Sequence, residues 1–164
     1  MDHATFVAKY PPQPPAKPVE NSDEARHLGS GDGVRLLDQP PALVPAPERA
    51  VPKRKGDPGC HLWVFTRSER PYILELARVV PALQSGRVKH SNLTSDGQAS
   101  CGGELWVDPV RQDRLYVNGC SGRYGPTSPQ QLEDAVSVLR DAGFDVICFG
   151  WDDDAGKPAM VLRS

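Results

Sequence analysis

The stretch NGCSGRYGPTS, residues 118–128, places a thiol, a hydroxyl, a guanidinium and a phenol between glycines and a proline. The hydroxyl of Ser121 and the amides around Gly122 can form a small concavity for an anion or a carbonyl oxygen. Arg123 carries a fixed fork of donors that suits phosphate or carboxylate, and Tyr124 can stack on a ring or donate one hydrogen bond. This combination predicts a site for a phosphate-bearing ligand. The alternative is a structural turn.

A second group of polar residues precedes this stretch in the chain. His90 can act as an acid or a base near neutral pH. If residues 87–93 form a strand beside residues 114–120, the imidazole reaches Ser121 or Tyr124. Lys89 then faces the opposite side of that strand.

Glu104 opens another predicted strand, directly after two glycines that permit close approach of the backbone. Its carboxylate is a candidate partner for His90 or Arg123. The alternative is an exposed charge at the end of a strand.

The pattern of elements predicts an α+β domain over residues 59–164: a mainly antiparallel sheet with one or two helices on a face. Ser128 as cap, Pro129 and Gln131 predict a helix that begins there and ends near Gly143. This helix directs free amides and a partial positive charge towards the 118–128 stretch. The remaining segments are assigned as follows: strands at 60–66, 144–152 and 158–164, a hairpin of 104–108 with 114–120, and a choice between helix and strand for 71–86.

Residues 1–58 differ in composition, because they hold eleven of the seventeen prolines. Proline removes amide donors and favours an extended backbone, so this tract is predicted to be a mostly disordered arm or linker. The run VRLLD, 34–38, is a candidate for local docking on the domain. PPQPP can be a ligand for the aromatic-lined groove of a protein partner, and the alternative is a plain spacer.

Composition excludes several classes of protein. The formal net charge of −2 gives no whole-chain argument for nucleic-acid binding. No apolar run approaches the roughly 18 residues of a membrane span, and no signal peptide is apparent. A cytoplasmic location is therefore expected, or export without a cleaved signal. The four cysteines contain no C-x-x-C pair and the DDDAGK turn lacks the EF-hand pattern, so no metal is expected.

Four segments in order, LWVF, VKHSNL, GGELWV and LYVNGCSGRYGPTSPQQLEDAVSVL, resemble a domain of plant IQ-motif calmodulin-binding proteins and of assorted bacterial and fungal proteins. The resemblance covers roughly residues 60–146. The family's S-G-H-Y histidine is Arg123 here, and the IQ motif is absent, so calmodulin binding is not expected. The resemblance implies a site without naming its reaction. The matching residues are Trp63, His90, Ser91, Gly103, Leu105, Ser121, Gly122, Tyr124, Pro126 and Thr127.

Two functions are predicted from these residues. The first is a small metal-independent enzyme of the toxin or effector type that acts on a phosphate-containing substrate, by RNA cleavage or by transfer from NAD. The second is a ligand- or protein-binding module without catalysis. The first assigns catalysis to His90, Ser121, Tyr124 and Glu104, and substrate binding to Arg123, Gly122, Lys89, Ser91 and Thr127.

Overall fold

The computed structural model of the chain describes residues 1–37, 59–75 and 80–162. It confirms an α+β fold, built from a six-stranded sheet with few helices. The helices are α1 (His3–Lys9), α2 (Ser22–Ala25) and α3 (Pro129–Asp141), with short 3-10 turns at Ser30–Asp32 and His90–Leu93. The strands are β1 (Arg35–Leu36), β2 (His61–Phe65), β3 (Tyr72–Glu75), β4 (Cys101–Val107), β5 (Arg114–Asn118), β6 (Asp145–Cys148), β7 (Trp151–Asp152) and β8 (Lys157–Pro158).

The main sheet has the order β1-β3-β2-β4-β5-β6. Its neighbours are antiparallel except for β5 and β6, which are parallel because α3 connects them. The predicted β4–β5 hairpin is confirmed. Within residues 71–86, the strand alternative is correct for β3. The strands β7 and β8 form a separate two-stranded ribbon.

Alternation along the strands divides the core between the two faces of the sheet. Trp63 and Phe65 of β2 pack with apolar residues of α1 and α3. Their neighbours Leu62 and Val64 belong to a second cluster, which includes Tyr124. A third, smaller cluster surrounds the stacked rings of Trp106 and Phe149.

Helix α3 begins and ends as predicted. The Ser128 hydroxyl accepts from the N–H of Gln131 (3.1 Å), Pro129 occupies the first turn, and Gly143 follows the helix with φ of +99°. The Gln131 side chain departs from a capping box. Its oxygen accepts from the N–H and hydroxyl of Thr127 (2.8 and 3.1 Å), and its nitrogen donates to the main-chain oxygen of Ser100 (2.8 Å). The helix start is thereby tied to β4.

The prediction of a disordered arm is wrong for residues 1–37. Phe6 is fully buried against Phe65, Leu28 is 1% exposed, Gln13 forms a bridge with Ala99, and β1 pairs with β3. Proline content alone misleads here, because the apolar side chains between the prolines find partners on the distant sheet. The docking predicted for 34–38 is confirmed through residue 37, and residues 38–58 lie outside the described part of the chain.

Two predicted strands are also corrected. Residues 87–93 contain the 3-10 turn His90–Leu93, because Asn92 accepts the Lys89 N–H on its side-chain oxygen (2.7 Å) and closes the turn. In 158–164, the strand stops after Pro158 in β8, and the Ala159 N–H instead bonds back to Gly150 (2.9 Å). Residues 163–164 are outside the described range.

Neither a membrane-spanning helix nor a metal site is found among the described residues. No helix there is long and apolar enough to cross a membrane. Across residues 1–37, 59–75 and 80–162, no group of three His, Cys, Asp or Glu side chains has the arrangement of a metal site. Cys60 and Cys101 are buried, and Cys120 and Cys148 are partly buried.

A carboxylate clamp joins α1 to α3 and gives a prediction about acid stability. Asp134 accepts from Lys9 Nζ (2.6 Å), the Tyr10 hydroxyl (2.7 Å) and Gln130 Nε2 (2.9 Å). These donors, Lys9 first, lower the pKa of Asp134 below its ordinary value of 3.8. A lowered pKa in the folded state adds stability above the ordinary value, and that stability disappears as the pH falls through the folded pKa.

We expect Asp134→Asn to reduce the free energy of unfolding by about 2 kcal/mol at pH 7 and to have little effect below pH 3. Denaturant unfolding of both proteins at several pH values measures the difference. Asp154→Asn, which changes an exposed carboxylate in the turn before β8, serves as the control. A difference that stays constant from pH 7 to pH 3 would exclude the ionised clamp as its cause.

Candidate functional site

Ser121 forms the structural turn that was the alternative interpretation of its sequence context. Its hydroxyl oxygen accepts from the N–H groups of Arg123 (3.4 Å) and Tyr124 (3.1 Å), and its carbonyl accepts from Gly125 (3.1 Å). Gly122, at the tip, is exposed. The amides of this turn therefore point at their own serine, which occupies the concavity predicted for an anion.

Tyr124 packs inside the second apolar cluster, where only 5% of its surface is exposed. Its hydroxyl donates to the main-chain oxygen of Gly97 (3.0 Å), and burial raises the pKa of the phenol. Thr127 lies on the exposed side of the same loop and bonds to Gln131. Neither residue presents a free polar atom to a shared hollow.

His90 contacts β4 at Gly103, the residue before Glu104. The His90 Nε2 lies 2.8 Å from the main-chain oxygen of Gly103, and a carbonyl only accepts, so the ring proton lies on Nε2. Glu104, the next residue along the strand, is 2% exposed. The imidazole therefore contacts β4 one residue away from Glu104. Its predicted closeness to Glu104 and its predicted reach to Ser121 or Tyr124 stay predictions.

Asn118 holds Glu104 and the loop together. Its side-chain oxygen accepts from the N–H groups of Glu104 (3.0 Å) and Cys120 (2.9 Å), and its Nδ2 donates to Glu104 Oε2 (3.0 Å). Asn118 has no exposed surface. It was not among the predicted site residues, although it stands at the end of a strand and before a glycine, where amide side chains often bond to the backbone.

Two residues predicted to bind a phosphate-bearing substrate, Arg123 and Ser91, contact the chain's own Glu24. Arg123 Nη2 donates to Glu24 Oε2 (2.5 Å), and the two side chains are 8% and 12% exposed. The Ser91 hydroxyl donates to the main-chain oxygen of Glu24 (2.6 Å). The charge of Lys89 also acts on the Glu24 carboxylate. We refer to Lys89, Ser91 and Arg123 as the anion site.

The electrostatics of the anion site favour a negative charge. The pKa of Glu24 is lowered first by the hydrogen bond from the Glu20 N–H (2.9 Å), and further by the charges of Arg123 and Lys89, against the opposing effect of burial. Arg123 also donates from Nη2 to the main-chain oxygen of Pro18 (3.2 Å), whereas its buried Nε has no partner among the described residues. A guanidinium can bind an oxyanion through Nε and Nη2 together, and Glu24 uses only one of these donors.

Asn92 extends the contact from the anion site to the backbone of the N-terminal segment. Its side-chain Nδ2 donates to the main-chain oxygens of Asp23 and Arg26 (both 2.7 Å). Its main-chain oxygen accepts from the Leu28 N–H (2.9 Å). Sequence reasoning missed Glu24 and Asn92 because residues 1–58 were predicted to be disordered. The only local signal was NSDEA, which has an Asn cap and acidic residues in the first turn of a helix.

Comparison of the chain with protein-family models, with curated proteins and with solved structures found no match. The resemblance to the domain of plant IQ-motif proteins therefore stays a prediction.

Proposed function

We propose that this chain is a binding module that recognises an oxyanion, a carboxylate or a phosphate, at the anion site. The observation that carries the proposal is the buried contact between Arg123 and Glu24, with Lys89 and Ser91 beside it. The Glu24 carboxylate occupies the position that a ligand's oxyanion would take. Of the two predicted functions, this supports the module without catalysis.

The enzyme prediction draws less support from the same contacts. The Nε2 of His90 bonds to a main-chain oxygen, the Ser121 oxygen accepts from its own turn, and the Tyr124 hydroxyl donates to a main-chain oxygen. A general base must lie within hydrogen-bond reach of the group whose proton it accepts. RNA cleavage and transfer from NAD therefore stay predictions without a geometric argument of their own.

The chemistry of the site favours oxyanions over neutral ligands. A buried guanidinium without a counter-charge is strongly unfavourable, so the site requires an anion whenever Glu24 withdraws. The unpartnered Nε provides a second donor on the edge of the guanidinium. Carboxylate and phosphate can both accept two parallel hydrogen bonds from that edge.

Replacement of Glu24 by alanine tests the proposal by chemical rescue. We expect Glu24→Ala to lower the midpoint of thermal unfolding by roughly 10 °C, because Arg123 loses its buried counter-charge. Acetate or inorganic phosphate should restore about half of that loss, since an anion that binds only the folded state stabilises it. Chloride at the same ionic strength should restore much less. Differential scanning fluorimetry of the full chain measures all three.

Glu133→Ala is the matched control, because Glu133 forms an exposed ion pair with Arg140 and is far more accessible than Glu24. This variant should respond equally to acetate and chloride. The double variant Glu24→Ala with Arg123→Gln should also lose the selective rescue. Equal effects of acetate, phosphate and chloride on Glu24→Ala would contradict the proposed function.

A further inference from the structure

We propose that the ligand of the anion site is an acidic peptide segment, and that residues 18–28 are the chain's own copy of it. This inference rests on the proposed function and names the class of its ligand. In the structure, residues 18–28 occupy the site and so restrict access by a peptide from another molecule.

The contacts between the folded domain and residues 18–28 are typical of peptide recognition, because most of them are hydrogen bonds to main-chain atoms. Besides the carboxylate of Glu24, the folded domain binds four carbonyl oxygens of the segment. Ser91 bonds to the oxygen of Glu24, Asn92 to those of Asp23 and Arg26, and Arg123 to that of Pro18. Contacts to the backbone add affinity without demanding a particular sequence, so one charged side chain provides the selectivity.

A second acidic side chain of the segment is also bound. Asp23 accepts from the N–H groups of Gln84 (2.8 Å) and Ser85 (2.6 Å), and these bonds lower its pKa, with Ser85 the larger cause. Consecutive acidic residues are therefore held at two places on the domain. At the end of the segment, Leu28 is buried in the second apolar cluster and anchors it. The preferred peptide thus has two adjacent acidic residues followed, four positions later, by an apolar residue.

A small phosphorylated ligand would not match this pattern of donors. It would satisfy Arg123, but the Ser91 hydroxyl and the two donors of the Asn92 amide would lose the carbonyl oxygens that they now bind. Buried donors without an acceptor are costly. The spacing of these donors along 18–28 therefore favours a peptide over a nucleotide.

Attachment gives the resident segment an advantage over any peptide in solution. A ligand that is part of the same chain acts at a high effective concentration. A free peptide must therefore compete with it, and weakening of the resident segment by Glu24→Ala should open the site. The wild-type chain should bind the same peptide poorly.

The experiment uses a fluorescently labelled peptide of residues 18–28, PVENSDEARHL, titrated with the full chain and followed by fluorescence anisotropy. We expect the Glu24→Ala chain to bind this peptide at least about ten-fold more tightly than the wild-type chain does. A peptide with alanine in place of Glu24 should bind about ten-fold more weakly. A scrambled peptide of the same composition should not bind.

Ser91→Ala, added to the Glu24→Ala chain, tests whether the hydrogen bond from Ser91 to the main chain of the peptide contributes to binding. It should weaken peptide binding about five-fold, because it removes the donor to the peptide carbonyl. Ser95→Ala, at an exposed position nearby, is the control. Circular dichroism establishes that each variant is folded before the titration.

The outcomes separate this inference from the proposed function. If acetate rescues Glu24→Ala but the peptide does not bind, the inference of a peptide ligand is wrong and the proposed oxyanion-binding function is retained. Failure of both would overturn both. Equal affinity of the Glu24→Ala chain for the intact and the alanine-substituted peptide would also overturn the peptide ligand, since the acidic side chain would then contribute nothing.

Discussion

Gly103→Ala is expected to destabilise the fold by at least about 3 kcal/mol, or to prevent folding altogether. A methyl group at this position would overlap the main-chain oxygen of Asn118, and it would lie 2.9 Å from Gly119 Cα and from Trp63 Cζ2. Two of these neighbours are backbone atoms of β5 and the loop after it, and the third belongs to a buried ring. None of them can move without breaking the β4–β5 ladder or the core.

Gly122→Ala provides the comparison within the same part of the molecule. A methyl group there would meet no atom within 4 Å, so we expect a change in stability of less than about 0.5 kcal/mol. Urea unfolding of both variants, followed by circular dichroism, measures the two effects. Similar stabilities for the two variants would show that β4 and β5 do not approach each other at Gly103 as described.

Asn118→Ala should cost about 4 kcal/mol of unfolding free energy. The change removes a side-chain acceptor of the Glu104 and Cys120 N–H groups and a donor to the Glu104 carboxylate, at a position with no exposed surface. Each buried polar group left without its partner loses a bond that water cannot replace.

Asn118→Asp separates these contributions. It keeps the oxygen that accepts from both N–H groups, but at neutral pH it places a second carboxylate about 3 Å from Glu104. At low pH a protonated carboxyl can donate where the amide did, so the folded state binds a proton that the unfolded state releases. The stability of this variant relative to the wild type should therefore fall as the pH rises from 4.5 to 8. Urea unfolding across that range tests the sign, and an unchanged difference would contradict it.

Local sequence signals were reliable wherever the interactions that build an element come from nearby residues. Helix α3 follows from Ser128, Pro129 and the glycine after it, and the β4–β5 hairpin follows from two alternating segments with a short connection. Caps, helical periodicity and tight turns depend on contacts within a few positions, so they can be read without knowledge of the fold. The glycines before Glu104 likewise predicted a close backbone approach, which Gly103 makes.

The candidate site was predictable in part. Arg123 contacts the Glu24 carboxylate and Ser91 contacts the Glu24 main-chain oxygen, and their role in binding a substrate stays a prediction. The roles given to Ser121 and Tyr124 depended on side-chain directions, which the sequence does not contain. Their hydroxyl oxygens bond to the protein itself. The strand predicted for residues 87–93 is wrong, since Asn92 turns the chain there.

By itself, the sequence determined the α+β class, the main helix and the hairpin. Only the tertiary structure decided that residues 1–37 belong to the fold and that the anion at Arg123 is the chain's own Glu24, 99 positions away. The physical reason is the range of the interactions. Propensity and capping act over a few residues, whereas the position of a buried carboxylate depends on the packing of distant segments, and no local pattern records that packing.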